Sequence, residues 1–230
     1  MQKNAVVTGG SKGIGLAIVN KLLEKGFRVF SSSRTIGNLQ PLKDIYGDKL
    51  IIFNVDLSTK EGVFQLAESI INSIKQVDLL VNNAGVFMPG QIATEEDGSF
   101  ELQMQLNVAA PYHLTRKLLP LMTQSKDSYI FNMCSTASIV PYLNGGSYCI
   151  SKHGILGFSK VLREELKPYS VAVSSVLPGA TLTDSWSGTE LPESRFMKAE
   201  NIADIIWFAW ENRQQMVIEE ILLRPMQGDL

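Results

Sequence analysis

The chain has 230 residues, 21 basic against 23 acidic side chains for a net charge of −2, and 45% hydrophobic residues. That size and apolar content suffice for one domain with a substantial core, and the near balance of charge without a basic tract argues against nucleic-acid binding as the main role. No apolar run reaches the roughly 18 residues of a membrane span, and an apolar strand starts directly after Met1, so neither a transmembrane segment nor a signal peptide is expected.

Lys3 to Val7 read as a short buried strand that runs into Thr8-Gly9-Gly10-Ser11-Lys12-Gly13-Ile14-Gly15 and then a helix from about Gly13 to Lys25. Strand, glycine-rich turn and helix come in the order a phosphate cradle requires. Glycine lets the backbone approach a ligand closely, and a helix N-terminus offers unpaired N–H groups and a favourable dipole. The spacing departs from the Gly-x-Gly-x-x-Gly dinucleotide fingerprint. It also lacks the Gly-Lys-Ser/Thr ending of an ATP or GTP loop. A tight turn that merely joins strand to helix is the competing reading.

Further apolar runs at Arg28 to Phe30, Leu50 to Val55, Leu79 to Val81, Tyr129 to Met133 and Val171 to Leu177 alternate with helical segments. Strands of this kind between helices imply a parallel sheet covered on both faces, and crossover handedness makes it doubly wound. No stretch reads as a linker, so residues 1–230 are expected to form a single α/β domain. Its ligand belongs at the carboxyl ends of the strands. Ile202 to Trp210 is too short to span a bilayer and reads as a helix packed on the sheet.

Tyr148 and Lys152 lie four residues apart, with Ser135 thirteen positions upstream on a separate segment. On a helix, residues i and i+4 share a face, so the Lys152 ammonium can sit beneath the Tyr148 phenol. A positive charge within a few ångströms favours release of a phenol proton, which makes the trio a candidate proton-donating site. The spacing of the pair alone is common on helix surfaces; its context gives it meaning.

That context is a set of segments in fixed order. The glycine segment is followed by Asp56-Leu57 after the third strand, Asn82-Asn83-Ala84-Gly85 after the fourth and Asn107 within a long helix. Then come Ser135 after the fifth strand, Tyr148 and Lys152, and Pro178-Gly179 with Thr181 and Thr183 after the sixth. Over nearly its whole length the chain resembles the short-chain dehydrogenases and reductases. The resemblance implies a Rossmann-like domain for dinucleotide binding and catalysis, with a small-molecule carbonyl or alcohol as substrate. It implies that Tyr148 donates the proton, Ser135 hydrogen-bonds the substrate oxygen and Lys152 holds the nicotinamide ribose. Asn107 holds a water that relays protons through Lys152; the competing reading is a buried side chain bonded to a helix carbonyl. Gly9, Ser11, Lys12, Gly13, Ile14 and Gly15 face the cofactor phosphates, and Pro178, Gly179, Thr181 and Thr183 hold the carboxamide or phosphates. Asn82 and Asn83 stabilise the fourth strand and its turn, which puts Asn83, Ala84 and Gly85 at the cofactor with Ala84 and Gly85 packing closely on it; a purely structural turn is the competing reading. Asp56, with Leu57, serves the adenine; otherwise Asp56 caps a helix starting near Ser58.

Charge points to NADP(H). In NAD enzymes an acidic residue at the end of the second strand binds the ribose 2′-hydroxyl. Family alignment puts that position on Ser33 here, followed by Arg34. Ser33 and Arg34 would bond a 2′-phosphate, and Lys12 would add a second positive charge. Solvated surface charges are the alternative for Lys12 and Arg34.

The stretch Asp184 to Glu193 reads as a small lid, with Pro141, Tyr142, Leu143 and Asn144 on the opposite wall. Its residues are neither strongly basic nor broadly apolar. The ending Leu223-Arg224-Pro225 differs from the Gly-rich close of the fatty-acid-synthesis reductases and resembles the subgroup that handles 3-hydroxy acids or assorted aldehydes and ketones. A 3-oxoacyl-(acyl-carrier-protein) reductase stays open as the alternative, and a dinucleotide-sensing regulatory protein is a further one. Cys134 and Cys149 lack metal spacing and read as core residues in a reducing compartment, the cytoplasm; His113 and His153 have no metal partners. The family commonly assembles through helices corresponding to Phe100–Met122 and Ser147–Lys167. The first carries Leu102, Leu106, Ala109, Ala110, Leu114 and Leu118, so a homo-oligomer, tetramer or dimer, is expected.

Overall fold

The computed structural model describes residues 2–125, 127–186 and 188–229. Seven strands, β1 (Asn4–Thr8), β2 (Arg28–Ser33), β3 (Leu50–Asn54), β4 (Leu79–Asn82), β5 (Tyr129–Met133), β6 (Ala172–Pro178) and β7 (Glu220–Leu223), form one sheet in the order β3-β2-β1-β4-β5-β6-β7. All six pairings are parallel. The strand order reverses between β1 and β4, which opens a crevice at their carboxyl ends.

The helices are α1 (Gly13–Glu24), α2 (Gln40–Tyr46), α3 (Lys60–Ser73), α4 (Ser99–Met104), α5 (Ala110–Met122), α6 (Gly146–Leu166) and α7 (Ala199–Glu211). Because the central strands are buried on both faces, alternate residues feed two cores. Ala5, Val7, Leu79, Val81, Tyr129 and Phe131 pack with α1 and α7, whereas Val6, Leu80, Ile130 and Val173 pack with α3, α5 and α6. Each fully buried aliphatic or aromatic side chain contributes roughly 1.5–3 kcal/mol, so an unbroken Val/Ile/Leu run is stable only between two helical layers. The Ile202 to Trp210 run lies in α7, against α1, as expected.

Four local features bear on the expectations. First, β2 runs past its apolar stretch to Ser33, where the sequence places its end. Ser31, Ser32 and Ser33 are buried although polar, because their backbones keep pairing with Ile52, Phe53 and Asn54, and the Ser32 carbonyl accepts the Gly9 amide at 2.8 Å. Second, α3 is capped by Thr59, whose hydroxyl accepts the Gly62 amide at 3.1 Å; Asp56 instead closes a turn on the Ser58 amide at 2.9 Å. Third, the long helix is not uniform. Between α4 and α5, Gln105–Ala109 forms a π-type turn in which the Ala110 amide reaches the Gln105 carbonyl, and Pro111 has no amide hydrogen to give the Asn107 carbonyl its α-helical bond. Fourth, Leu106, Ala110, Leu114 and Leu118 are consumed inside the chain. The apolar side chains that these helices leave exposed are Phe100, Leu102, Tyr112, Ile150 and Val161. Among the described residues no helix is long and apolar enough to cross a membrane.

Candidate active site

The glycine turn after β1 is laced to the end of β4. The Thr8 hydroxyl accepts the amides of Asn83 and Ala84, both at 3.0 Å, and the Asn83 side-chain amide donates to the carbonyls of Thr8 at 2.9 Å and Gly9 at 3.1 Å. The asparagine thus stabilises the turn, as its sequence position suggests. A Cβ on Gly15 would stand 2.2 Å from the Gly9 carbonyl oxygen, so only glycine lets α1 start this close to the turn.

Asn82 and the next strand form a buried polar chain below. Its side-chain amide donates to Thr115 at 3.0 Å and Asn132 at 2.8 Å, and Asn132 donates to Ser159 on α6 at 2.7 Å. The sheet and α6 are thereby tied together by hydrogen bonds, which buried polar groups require.

On α6, Tyr148 and Lys152 do share a face, with the Lys152 ammonium over the Tyr148 ring at 5.7 Å from its centroid. Lys152 is buried and donates to the Met133 carbonyl at 2.9 Å, so its charge is held by backbone at the end of β5. Ser135 follows β5 and accepts the Ala137 amide at 3.1 Å, which fixes its hydroxyl at the start of a short turn. Asn107 is fully engaged: its oxygen accepts the Val86 amide at 2.8 Å, and its amide donates to the Val86 carbonyl and the Ser151 hydroxyl, both at 2.9 Å. It therefore anchors the loop after β4 rather than bonding a helix carbonyl.

Ser135, Tyr148 and Lys152 line a cleft of about 520 Å³ together with Asn83, Gly85, Ile14, Pro178, Gly179, Thr181 and Thr183. Phe87, Met133, Val140, Tyr142, Trp186 and Asp229 also line it. The side of the cleft facing Thr181 is therefore built as expected, but the opposite wall is not. Of Pro141 to Asn144 only Tyr142 reaches it, Leu143 being 87% exposed. The wall is more apolar and aromatic than the sequence suggested, because Phe87 stacks edge-on to Tyr148 at 4.8 Å and Trp186 packs on Phe196 at 5.0 Å. Desolvation first, and the neighbouring Tyr148 second, push the Tyr142 phenol above its ordinary range. The Thr181 hydroxyl is turned to the Gly179 carbonyl at 3.0 Å. Of the lid, Asp184–Trp186 is a short turn; Ser187 lies outside the described residues.

A second group of expected residues sits at the carboxyl ends of β2 and β3. Ser33 is buried with its hydroxyl on the Thr35 carbonyl, and Arg34 is exposed. The Ser58 amide chiefly, then the Ser58 hydroxyl and the Arg34 charge, hold the Asp56 carboxyl below the usual carboxylate range against partial desolvation. Leu57 is buried in the core, so only its backbone is offered to a ligand. Lys12 and Ser11 belong to the glycine turn; the Lys12 ammonium is not free but pairs with Asp184 of the lid at 2.7 Å.

The model for the short chain dehydrogenase family matches residues 3–193. The chain belongs to that family. Sepiapterin reductase of Chlorobaculum tepidum is 30% identical, covering 100% of this chain and 99% of its own. The 3-oxoacyl-(acyl-carrier-protein) reductase of Haemophilus influenzae is 30% identical over 90% of this chain and 89% of its own. A metagenomic short-chain oxidoreductase, crystallised in complex with NADP, is 31% identical and superposes with a TM-score of 0.84 over 97% of each chain.

Within this short-chain dehydrogenase, sequence reasoning missed Phe87 and Asp229, whereas Trp186 falls in the stretch read as a lid. Asp229, on the tail after β7, folds back to line the cleft and accepts from Arg224 at 2.7 Å. No spacing rule marks such residues, since loops bring them in. Cys134 adjoins the site but is 3% exposed, and burial pushes its thiol up to about 11 against the pull of the Lys152 charge. At pH 8 only about one part in a thousand of such a thiol is thiolate. Ellman's reagent at pH 8 is therefore expected to leave Cys134 of the native short-chain dehydrogenase unreacted and to titrate it only after denaturation.

Proposed function

We propose that the chain is an NADPH-dependent oxidoreductase that reduces a carbonyl of a small molecule, or oxidises the corresponding alcohol, by Ser-Tyr-Lys chemistry. The observation that carries this reading is that Ser135, Tyr148 and Lys152, from two different elements, line one cleft beside the glycine turn. Cofactor and catalytic residues then belong to one domain over 1–230.

The residues present fit a dinucleotide. A Cβ on Gly85 would stand 3.0 Å from Asn107 Oδ1 and 3.8 Å from Lys152 Nζ, so the glycine keeps open the space a cofactor ring would fill beside the ammonium. Ser11, Gly13, Ile14 and Gly15 would offer backbone amides around the α1 N-terminus to the phosphates, while Gly9, its own amide spent on Ser32, gives the turn its positive φ; Asn83, Ala84 and Gly85 would flank the cofactor on one side and Pro178, Gly179, Thr181 and Thr183 on the other. Preference for NADP(H) is supported by Ser33 in place of an acid, by the exposed guanidinium of Arg34 and by the NADP-bound relative. Lys12 joins Arg34 only by leaving Asp184, and Asp56 serves the adenine.

NADPH, when bound, supplies the hydride to the carbonyl carbon. Tyr148 gives its phenolic proton to the oxygen as negative charge develops there, and Ser135 donates a hydrogen bond to the same oxygen. Lys152 stabilises the resulting phenolate and holds the nicotinamide ribose. The carbonyl of Asn107, denied its α-helical donor by Pro111, would hold a water that returns protons through Lys152. Positioned acid catalysis contributes typically ~10²–10⁴-fold, and an oriented donor at the oxygen adds to it.

The substrate is read as a free small molecule. Among the described residues the charged side chains of the cleft lining are one ammonium, Lys152, and one carboxylate, Asp229, a balance that suits a free small molecule. A 3-oxoacyl-(acyl-carrier-protein) reductase remains the second reading, favoured by the Haemophilus influenzae relative. A dinucleotide-sensing role is disfavoured because Ser135, Tyr148 and Lys152 are all kept. Cytoplasmic residence is part of the proposal, supported by the two unpaired thiols.

The test is a screen at 340 nm with NADPH and NADH against ketones, aldehydes, diketones and a 3-oxoacyl thioester. NADPH-dependent turnover is expected, and Tyr148→Phe is expected to lower kcat at least ~10²-fold while cofactor fluorescence still reports binding. Equal activity in that variant would overturn Tyr148 as the proton donor. Arg34→Asp is expected to reverse the preference from NADPH to NADH, and an unchanged ratio would show Arg34 to be a plain surface charge. Assembly into a homo-oligomer, a tetramer, through the exposed Phe100, Tyr112, Ile150 and Val161 is also proposed. Light scattering that returns a monomer at micromolar concentration would sink it.

A further inference from the structure

The start of α6 lacks a cap of its own. Its N-cap position is Gly145, which has no side chain, and the first bond of the helix runs from the Cys149 amide to the Gly145 carbonyl at 2.6 Å. The amides of Gly146, Ser147 and Tyr148 therefore precede the helical ladder and need partners from elsewhere. The partner for Ser147 comes from a residue 52 positions away: Glu95 Oε1 accepts the Ser147 amide at 2.7 Å, and Glu95 Oε2 takes the Ser147 hydroxyl.

We propose that Glu95 is a positioning residue that caps the catalytic helix from the loop after β4 and so fixes where the Tyr148 hydroxyl stands. The proposal rests on the reading of Tyr148 and Lys152 given above.

Several independent contacts aim the carboxylate. The Glu95 amide donates to the Gln91 carbonyl at 2.8 Å, closing a turn on the loop. That turn is clamped to the segment before α6: the Gly90 amide donates to the Asn144 carbonyl at 2.9 Å, and the Gln91 side chain donates to Asn144 Oδ1 at 3.1 Å. A Cβ on Gly146 would stand 2.1 Å from Glu95 Oε1, so the glycine leaves the slot the carboxylate fills. A negative charge at this end of a helix is favoured by the dipole as well as by the hydrogen bonds. The same loop lays Phe87 against the Tyr148 ring. Loop and helix thus meet on both sides of the reacting phenol, at the ring itself and at the residue before it.

The chemical consequence follows from leverage. Tyr148 is in the first turn, where helices fray, and its hydroxyl lies at the end of a long side chain. A shift of about 1 Å at a reacting group can cost ~10²-fold in rate, whereas cofactor contacts made by the glycine turn and by Arg34 do not depend on this turn. Loss of the cap should therefore fall on kcat.

The experiment compares Glu95→Ala and Glu95→Gln with the parent full chain. Three readouts are taken: kcat and KM on the best carbonyl from the screen, NADPH affinity by fluorescence, and amide hydrogen exchange over residues 146–152. Glu95→Ala is expected to lower kcat ~10–10²-fold, to leave NADPH affinity within about 2-fold, and to speed exchange in the first turn of α6. Glu95→Gln, which keeps an acceptor for the Ser147 amide, is expected to recover most of both kcat and protection. Unchanged exchange in Glu95→Ala, or unchanged kcat while Tyr148→Phe is inactive, overturns the positioning role. Loss of NADPH affinity in parallel with kcat overturns it too, since that is general damage to the fold. Activity retained in Tyr148→Phe would instead overturn the assignment of the proton donor on which the proposal stands, and identifies that assignment as the failure.

Discussion

Parallel pairing of β1 with β4, across the one place where strand order reverses, is the constraint on which the site depends. Two neighbouring strands whose following segments depart in opposite directions leave a crevice between their carboxyl ends, and nothing in the sheet itself fills it. The chain closes the bottom of that crevice with hydrogen bonds. Thr8, ending β1, satisfies the amides of Asn83 and Ala84, and Asn83 returns two bonds to the carbonyls of Thr8 and Gly9. The glycine turn and the Asn-Ala-Gly segment are therefore one unit, and residues about 75 positions apart act as a single wall.

The same logic places α6. Burying the Lys152 ammonium costs free energy unless its donors are bonded, and the Met133 carbonyl at the end of β5 supplies a partner. One side chain thus ties α6 to the sheet at the height of Ser135, two residues further along the chain. The chain of Asn82, Asn132 and Ser159 does the same one layer deeper. Because each link needs its neighbour in register, the placement of Ser135 relative to Tyr148 rests on the sheet as well as on the clamped segment that joins them.

How much of this was legible in the sequence follows from how local each signal is. Strand runs such as Tyr129 to Met133 were read with their observed bounds, because burial on both faces leaves an uninterrupted apolar stretch. The shared face of Tyr148 and Lys152 was legible from helical period alone. The end of β2 at Ser33 was not legible from hydropathy, since backbone pairing to β3 continues where the apolar run stops, and was read from the resemblance instead. Nor was the engagement of Leu106, Leu114 and Leu118 inside the chain, because an apolar helical face does not say whether the sheet or a partner covers it. The opposite wall of the cleft was placed on Pro141 to Asn144 by adjacency in sequence, but Asn144 is spent on the Gly90 loop, which turns Tyr142 in and Leu143 out.

Substrate selection is where local signals end. The residues that would touch a substrate beyond its carbonyl, Phe87, Tyr142, Trp186 and Asp229, come from four separate loops or tails, each fixed by a different contact. Phe87 is set by its ring against Tyr148, Trp186 by Phe196, and Asp229 by Arg224. The neighbouring backbone of Phe87 is itself set by Gln103, whose side-chain oxygen accepts the Met88 amide at 3.1 Å from the turn of helix that precedes Asn107. Chemistry common to the family can thus rest on the sheet and α6, which change little when a loop does. The proposed pocket walls rest on side chains at loop tips, so they can be rebuilt by substitutions that leave Ser135, Tyr148 and Lys152 where the sheet and α6 hold them.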